Sequence, residues 1–226
     1  MGFVVFFFAV ALVAAIVWYL QTLATTRRRR RMSEVASRHG LAFSAKDPFR
    51  MIDTMPLAFF DSGHSRKVTN VMYDRTAEGH DRRAFDYEYT TGSGKNRHVY
   101  NFSCGVISTG AAWPQLTLGP EGFFDRVLDV IGGADIQFES EAFNRAWEVR
   151  SPDPRFASAM IDPEMMLFLI ERAEGARVEV RGPWILFSGE RLNPELLPQV
   201  IASAEAFRER IPPVVWSLYP PSESRT

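Results

Sequence analysis

FVVFFFAVALVAAIVWYL, Phe3 to Leu20, carries neither charge nor proline, and five consecutive arginines, Arg27 to Arg31, follow it. At about 1.5 Å of rise per residue, roughly 20 helical residues cross a hydrocarbon core about 30 Å thick. Gln21 to Ala24 can carry the same helix through the interface. Inside lipid every backbone amide must find its partner within the segment, so a run of this kind has to be helical. Trp18 and Tyr19 stand near its end, where amphipathic rings suit the headgroup layer. Residues 1–26 therefore read as a transmembrane anchor.

A cleaved secretory signal would place basic residues before a shorter apolar core, roughly 7 to 15 residues long. Here the positive charge comes after the run. Arginines beside a span stay on the cytoplasmic side. Arg27, Arg28, Arg29, Arg30 and Arg31 thus predict a single pass through the inner (plasma) membrane, with the N-terminus out and the body cytoplasmic. The same residues can touch anionic headgroups, at about 1 kcal/mol each near the surface. The bilayer is the first partner expected.

The formal charge of −1 is an average over two unlike parts. Setting the five clustered arginines aside leaves 21 basic residues against 27 acidic ones. An acidic body argues against nucleic acid, which needs positive excess on the folded part. The single cysteine, Cys104, cannot form an intramolecular disulfide or a thiolate metal cluster and fits a reducing compartment. Arginine outnumbers lysine 23 to 3, which points to a GC-rich bacterial genome.

The remainder suits one domain with a substantial core. Its organisation reads as a basic collar and joint over 27–56, an α+β body over 57–219, and a loose tail over 220–226. Met32 to His39 continues the membrane helix or restarts one, and Gly40 ends it. Val68–Asp74 suits a strand. Arg82 to Thr91 alternates, with Phe85, Tyr87 and Tyr89 on one face and Asp86 and Glu88 on the other, the mark of a half-buried strand. Gly92 to Asn96 reads as a hairpin loop, His98–Ile107 as the return strand and Gln115–Leu118 as a fifth short one.

Glu121–Ile131 has helical spacing, Ile136–Glu139 and Arg145–Arg150 suit strands, and Pro154–Ile161 a short helix. Asp162-Pro163-Glu164 opens another helix. Arg177–Arg181 and Trp184–Ser188 read as a hairpin about Gly182-Pro183, and Asn193 opens the last helix, which Pro212-Pro213 stops. Val214–Tyr219 is expected as an extended strap. The fold class is therefore α+β: an N-terminal transmembrane helix, then an antiparallel sheet, open or closed into a small barrel, with three to four helices.

At FDYEYTTGSG (Phe85 to Gly94) and FNRAWEVRSPDPRFASAMIDPEMMLFLIE (Phe143 to Glu171) the chain resembles a family of bacterial, actinobacterial single-pass membrane proteins without assigned activity. The resemblance spans roughly Phe59 to Trp184. It implies one fold and membrane association, and no chemistry for any residue.

Catalytic signatures are weak. Gly92-Ser93-Gly94-Lys95 lacks the spacing and the following Ser/Thr of a phosphate-binding loop and lies between strands. His39, His64, His80 and His98 share no metal-ligand spacing. Cys104 shares a face with Phe102 and Val106, which suits an inert buried thiol. Asp86 and Glu88 are expected on the solvated face of an antiparallel sheet. No G-x-S-x-G elbow is present. No catalytic residue, cofactor or metal ligand is therefore assigned, and an enzyme is the less favoured reading. The expected function is a membrane-anchored cytoplasmic binding or scaffold module with a protein partner. The alternatives are a tethered enzyme, which would need Asp86 or Glu88 to meet a histidine, and a lipid-headgroup sensor, which would need the Lys95 loop on the membrane side.

Overall fold

A computed structural model describes residues 2–120, 135–173 and 175–220. A single helix, α1 (Gly2–Arg38), contains the apolar run and continues without a break through the arginine cluster. It ends where Gly40 takes φ +69°, with the Leu41 amide donating to the Ala36 carbonyl at 2.8 Å and the Gly40 amide to Ser37 at 3.2 Å. A left-handed glycine closed by this pair of bonds is the usual way a helix satisfies its last carbonyls. Phe6, Phe8 and the side chains from Val10 to Leu20 are exposed, and none of the apolar window from Val10 onward is buried against the body.

The segment expected as a joint is folded into the body. Ala42–Lys46 is an edge strand, β1, paired antiparallel with β2 (His64–Arg75). Between them lie a one-turn helix, α2 (Met51–Thr54), and a 3-10 turn at Ala58–Asp61. Next come β3 (Asp81–Thr91) and β4 (His98–Pro120), then α3 (Glu141–Ala146), β5 (Trp147–Arg150), α4 (Pro154–Met160) and α5 (Pro163–Arg172). After these come β6 (Arg177–Glu190), α6 (Leu197–Glu209) and α7 (Pro213–Leu218).

The six strands of the described residues form one antiparallel sheet, in the order β1-β2-β3-β4-β5 with β6 along the other side of β4. It is open, not a barrel. The hairpin expected about Gly182-Pro183 is instead one bent strand. Both halves of β6 pair with β4, and Gly182 (φ +56°) faces Trp113 at a register shift. β4 bends at the same level, where Gly110 has φ +71°. Glycine in this region supplies a sheet corner that other residues would strain.

Other differences have local causes. Ile136–Glu139 forms no strand: only Asp135 bridges to Arg150, and Ile136 donates one bond to Val149. Ser140 caps α3, which takes the first part of the expected 145–150 strand. Val214–Tyr219 is helical because Pro213 starts α7 at its first turn as well as ending α6. These short helices bring the body above the expected three to four. The expected helix Glu121–Ile131 and the end of the tail lie outside the described residues.

Three apolar clusters hold the fold. The largest packs α4 to α7 against the far halves of β4 and β6, around Trp113, Phe156, Phe168 and Phe207. An aromatic cluster of Phe60, Phe85, Tyr87, Tyr89 and Phe102 lies on one face of β2–β4, beneath the 47–62 segment. Cys104 is in this cluster, fully buried, as expected. The third joins Met32, Val35 and Ala36 of α1 to Met72, Ala84, Leu197 and Ile201. The sheet is therefore covered on both faces, and α1 covers part of the face that alternation assigned to water.

Candidate functional site

The helix period decides which arginines meet the body. Met32, Val35 and Ala36 follow Arg28 at i+4, i+7 and i+8, so all four lie on the stripe that faces the sheet. Arg28 reaches Asp86 as a fork, Nε to Oδ2 at 2.7 Å and Nη2 to Oδ1 at 2.6 Å. Its third nitrogen donates to the Leu192 carbonyl at 2.8 Å. Ser103 accepts from the Leu192 amide at 3.0 Å, so β3, β4 and the approach to α6 converge on one guanidinium.

Asp86 is 4% exposed and has further donors. Asn70 Nδ2 lies 2.9 Å from Oδ2, and Arg191 Nη2 lies 3.5 Å from it. Asn70 gets there through a bulge: the β2–β3 register shifts between Thr69 and Met72, and Asn70 takes φ +54°. Asparagine is among the few non-glycine residues that adopt this conformation readily. Further along α1, Arg31 and Arg38 both pair with Glu195, at 2.7 and 2.5 Å.

The expectation that Asp86 faces water is thus overturned, because α1 lies over that face. Glu88 keeps partial exposure. The five arginines divide by phase. Arg28 and Arg31 are bound to the body, Arg30 pairs locally with Glu34 at 3.0 Å, and Arg27 and Arg29 are exposed. The missed signal was in the sequence: Met32, Val35 and Ala36 carry an apolar stripe past the arginines, which a helix drawn unbroken to Arg38 would have exposed.

Next to the Arg28–Asp86 pair is a cleft of about 120 Å³ between α1 and the sheet. It is lined by Thr25 and Arg29 from α1, Lys67 and Thr69 from β2, Glu88 from β3 and Asn101 from β4, with Arg191 and Asp86 at its base. Levels on the two elements correspond. Val35 and Met72 share one apolar cluster, Arg28 and Asn70 both donate to Asp86, and Thr25 and Lys67 line the same cleft. Ten helical residues span about 15 Å and five strand residues about 16 Å, so helix and strand run side by side. The β3–β4 hairpin tip, with Lys95 and Arg97, extends beyond the Thr91–His98 pair at this end of the sheet. His64 Nε2 braces that tip through the Gly92 carbonyl at 2.9 Å. The chain's three lysines, Lys46, Lys67 and Lys95, are exposed at this one end.

The histidines do not gather. His80 lies 2.6 Å from Arg208 Nη2, where burial and then the neighbouring guanidinium lower its pKa. His39, His64 and His98 are exposed at separate places, and neither Asp86 nor Glu88 meets one. Among the described residues no three His, Cys, Asp or Glu side chains converge as a metal requires.

The most perturbed carboxylate is Glu179, whose pKa burial raises to about 7. Its two oxygens accept from the Ala58 and Phe59 amides at 2.7 and 2.9 Å, fastening the 3-10 turn to β6. The cavity beside it, about 30 Å³, holds one water-sized guest. Glu179 is a clasp.

No family model and no curated protein matches the chain. Among solved structures it is similar to the mycobacterial trehalose monomycolate transport factor A, TtfA, with a TM-score of 0.60 at 12% identity. The match covers 87% of this chain and 98% of that one. At this identity the likeness concerns the fold.

Proposed function

We propose that this chain is a single-pass membrane protein whose cytoplasmic body, held against the bilayer, serves as a binding or scaffold component of membrane-lipid transport. The observation that carries this reading is the bidentate Arg28–Asp86 pair. It fixes the body to α1 only eight residues past Leu20, about 12 Å along the helix axis. A catalytic domain on a flexible tether needs no such fixation, whereas a component that works at the membrane surface does. The fold shared with a trehalose monomycolate transport factor supports a role in lipid handling. The arginine cluster supports the inward orientation, and a protein partner fits the scaffold role.

Two measurements test it. With Cys104 replaced by Ala, a cysteine at exposed Ser65 should resist a membrane-impermeant maleimide in intact cells and react after permeabilisation. Reaction in intact cells would reverse the orientation. Depletion of the chain in its host should shift the distribution of an envelope lipid between inner membrane and outer layers. An unchanged lipid profile would remove the transport role.

A further inference from the structure

Three cationic side chains converge on the cleft beside α1. Arg29 and Lys67 are exposed and make no ion pair among the described residues. Arg191 reaches in from the approach to α6 and touches Asn101 Oδ1 at 3.3 Å. Arg28 and Arg191 both pair with Asp86, and Glu88 is the other acid of the cleft, so the four cations exceed the two acids and leave a net charge of about +2 in a body that is otherwise acidic. Thr25, Thr69 and Asn101 add neutral hydrogen-bonding groups. Cations with hydroxyl and amide groups between them are the chemistry that binds a phosphate.

The place of the cleft narrows the source of that phosphate. Thr25, on its wall, is five residues past Leu20, about 7 to 8 Å along the helix axis. We propose that this cleft is a binding site for the phosphate headgroup of an anionic lipid from the leaflet facing the body, held by Arg29, Lys67 and Arg191 while the acyl chains lie along α1 above Thr25. The proposal rests on the membrane-anchored reading above. It adds a defined lipid site, distinct from diffuse attraction to the arginine collar, which would need no contribution from β2 or from residue 191.

The test uses the full chain in nanodiscs of phosphatidylcholine containing a minority of phosphatidylglycerol, with retained lipids counted by native mass spectrometry after gentle release. The wild type is expected to retain phosphatidylglycerol well above its bulk fraction. Lys67→Gln and Arg191→Gln should each lower that enrichment about 5-fold, as expected for one basic residue at an anionic surface. Arg75→Gln, at the opposite end of β2, should leave it unchanged, and millimolar inorganic phosphate should not displace the lipid. Equal enrichment in wild type and the Lys67 variant, equal loss in the Arg75 variant, or displacement by free phosphate would each overturn the site. Flotation of each variant with liposomes of the same lipid composition separates the two readings: a chain that floats but shows no enrichment sinks the lipid site alone, and one that fails to float sinks the anchor as well.

Discussion

Removing Arg28 and removing Arg30 should have very different consequences, although both belong to one run of five arginines. Arg28 is 15% exposed in its side chain and Asp86 6%. Deleting one member of a buried pair leaves the other charge without compensation and costs roughly 3–5 kcal/mol. Asn70 and Arg191 would still reach Asp86, so about 3 kcal/mol is expected for Arg28→Met. The Arg30 side chain is 83% exposed and pairs with Glu34 one turn away. Such pairs contribute roughly 0.3–0.5 kcal/mol.

Cys104 provides the readout. It is the one thiol, fully buried, and burial pushes its pKa well up, so it should react with maleimide only when the body opens. A loss of about 3 kcal/mol corresponds to labelling on the order of 150-fold faster, against about twofold for Arg30→Met. The triple variant Arg28→Met, Asp86→Leu and Asn70→Gly should recover much of the loss, since it replaces the buried ion pair by an apolar pair and removes the amide that Asp86 would have left unpaired. Equal labelling rates for the Arg28 and Arg30 variants would refute the docking account, and so would a triple variant that labels faster than Arg28→Met alone.

Glu179 has a folded pKa of about 7 against an ordinary value of 4.5. Its contribution to stability is therefore fully present below 4.5 and is lost as pH rises through 7, an effect on the order of 3 kcal/mol; Glu179→Gln should flatten that part of a melting-temperature profile taken from pH 5 to 8. A Cβ on Gly105 would come within 2.7 Å of the Val200 backbone, so Gly105→Ala should push α6 off the sheet and lower stability by about 1–3 kcal/mol in urea. Asn70→Ala loses a bond to Asp86 and strains a left-handed position, about 2 kcal/mol together, and Asn70→Gly should cost less in the same titration. An alanine inserted between Ala24 and Thr25 turns the apolar segment by about 100° relative to the body and should leave Cys104 labelling unchanged, whereas one inserted between Arg29 and Arg30 separates Arg28 from Met32 and should accelerate it.

Much of the sheet was legible because one face of each strand is apolar. Phe85, Tyr87 and Tyr89 announce β3, and Phe102, Cys104 and Val106 its partner, and all six are buried together. What alternation cannot reveal is a second cover. Asp86 lies on the polar face by pattern, and it is buried because a helix more than forty residues earlier in the chain settles over it. The bent strands were missed for a related reason. Gly182-Pro183 and Gly110 carry turn chemistry, and whether such residues reverse a strand or merely bend it is decided by the partner strand, here a continuous β4. Short helices such as α3 and α7 fall below the length at which periodicity separates helix from strand.

On the orientation proposed above, the arginine cluster serves two purposes without conflict. Successive helical residues are rotated by about 100°, so five in a row cover the whole circumference. Arg28 and Arg31 fall on the side of the body, where Asp86 and Glu195 receive them. Arg29 falls at the other margin of the stripe, on the wall of the basic cleft, while Arg27 and Arg30 point away from the body, and among the described residues none of the three pairs with an acid of the body. A topology signal depends on charge near the span and is indifferent to phase. Docking depends on phase. A flexible linker after the span would have kept the first function and lost the second, because only an unbroken helix fixes which arginine points where. The continuity of α1 through residues 27–38 is therefore what makes the arginine run a structural joint as well as the topology signal proposed above.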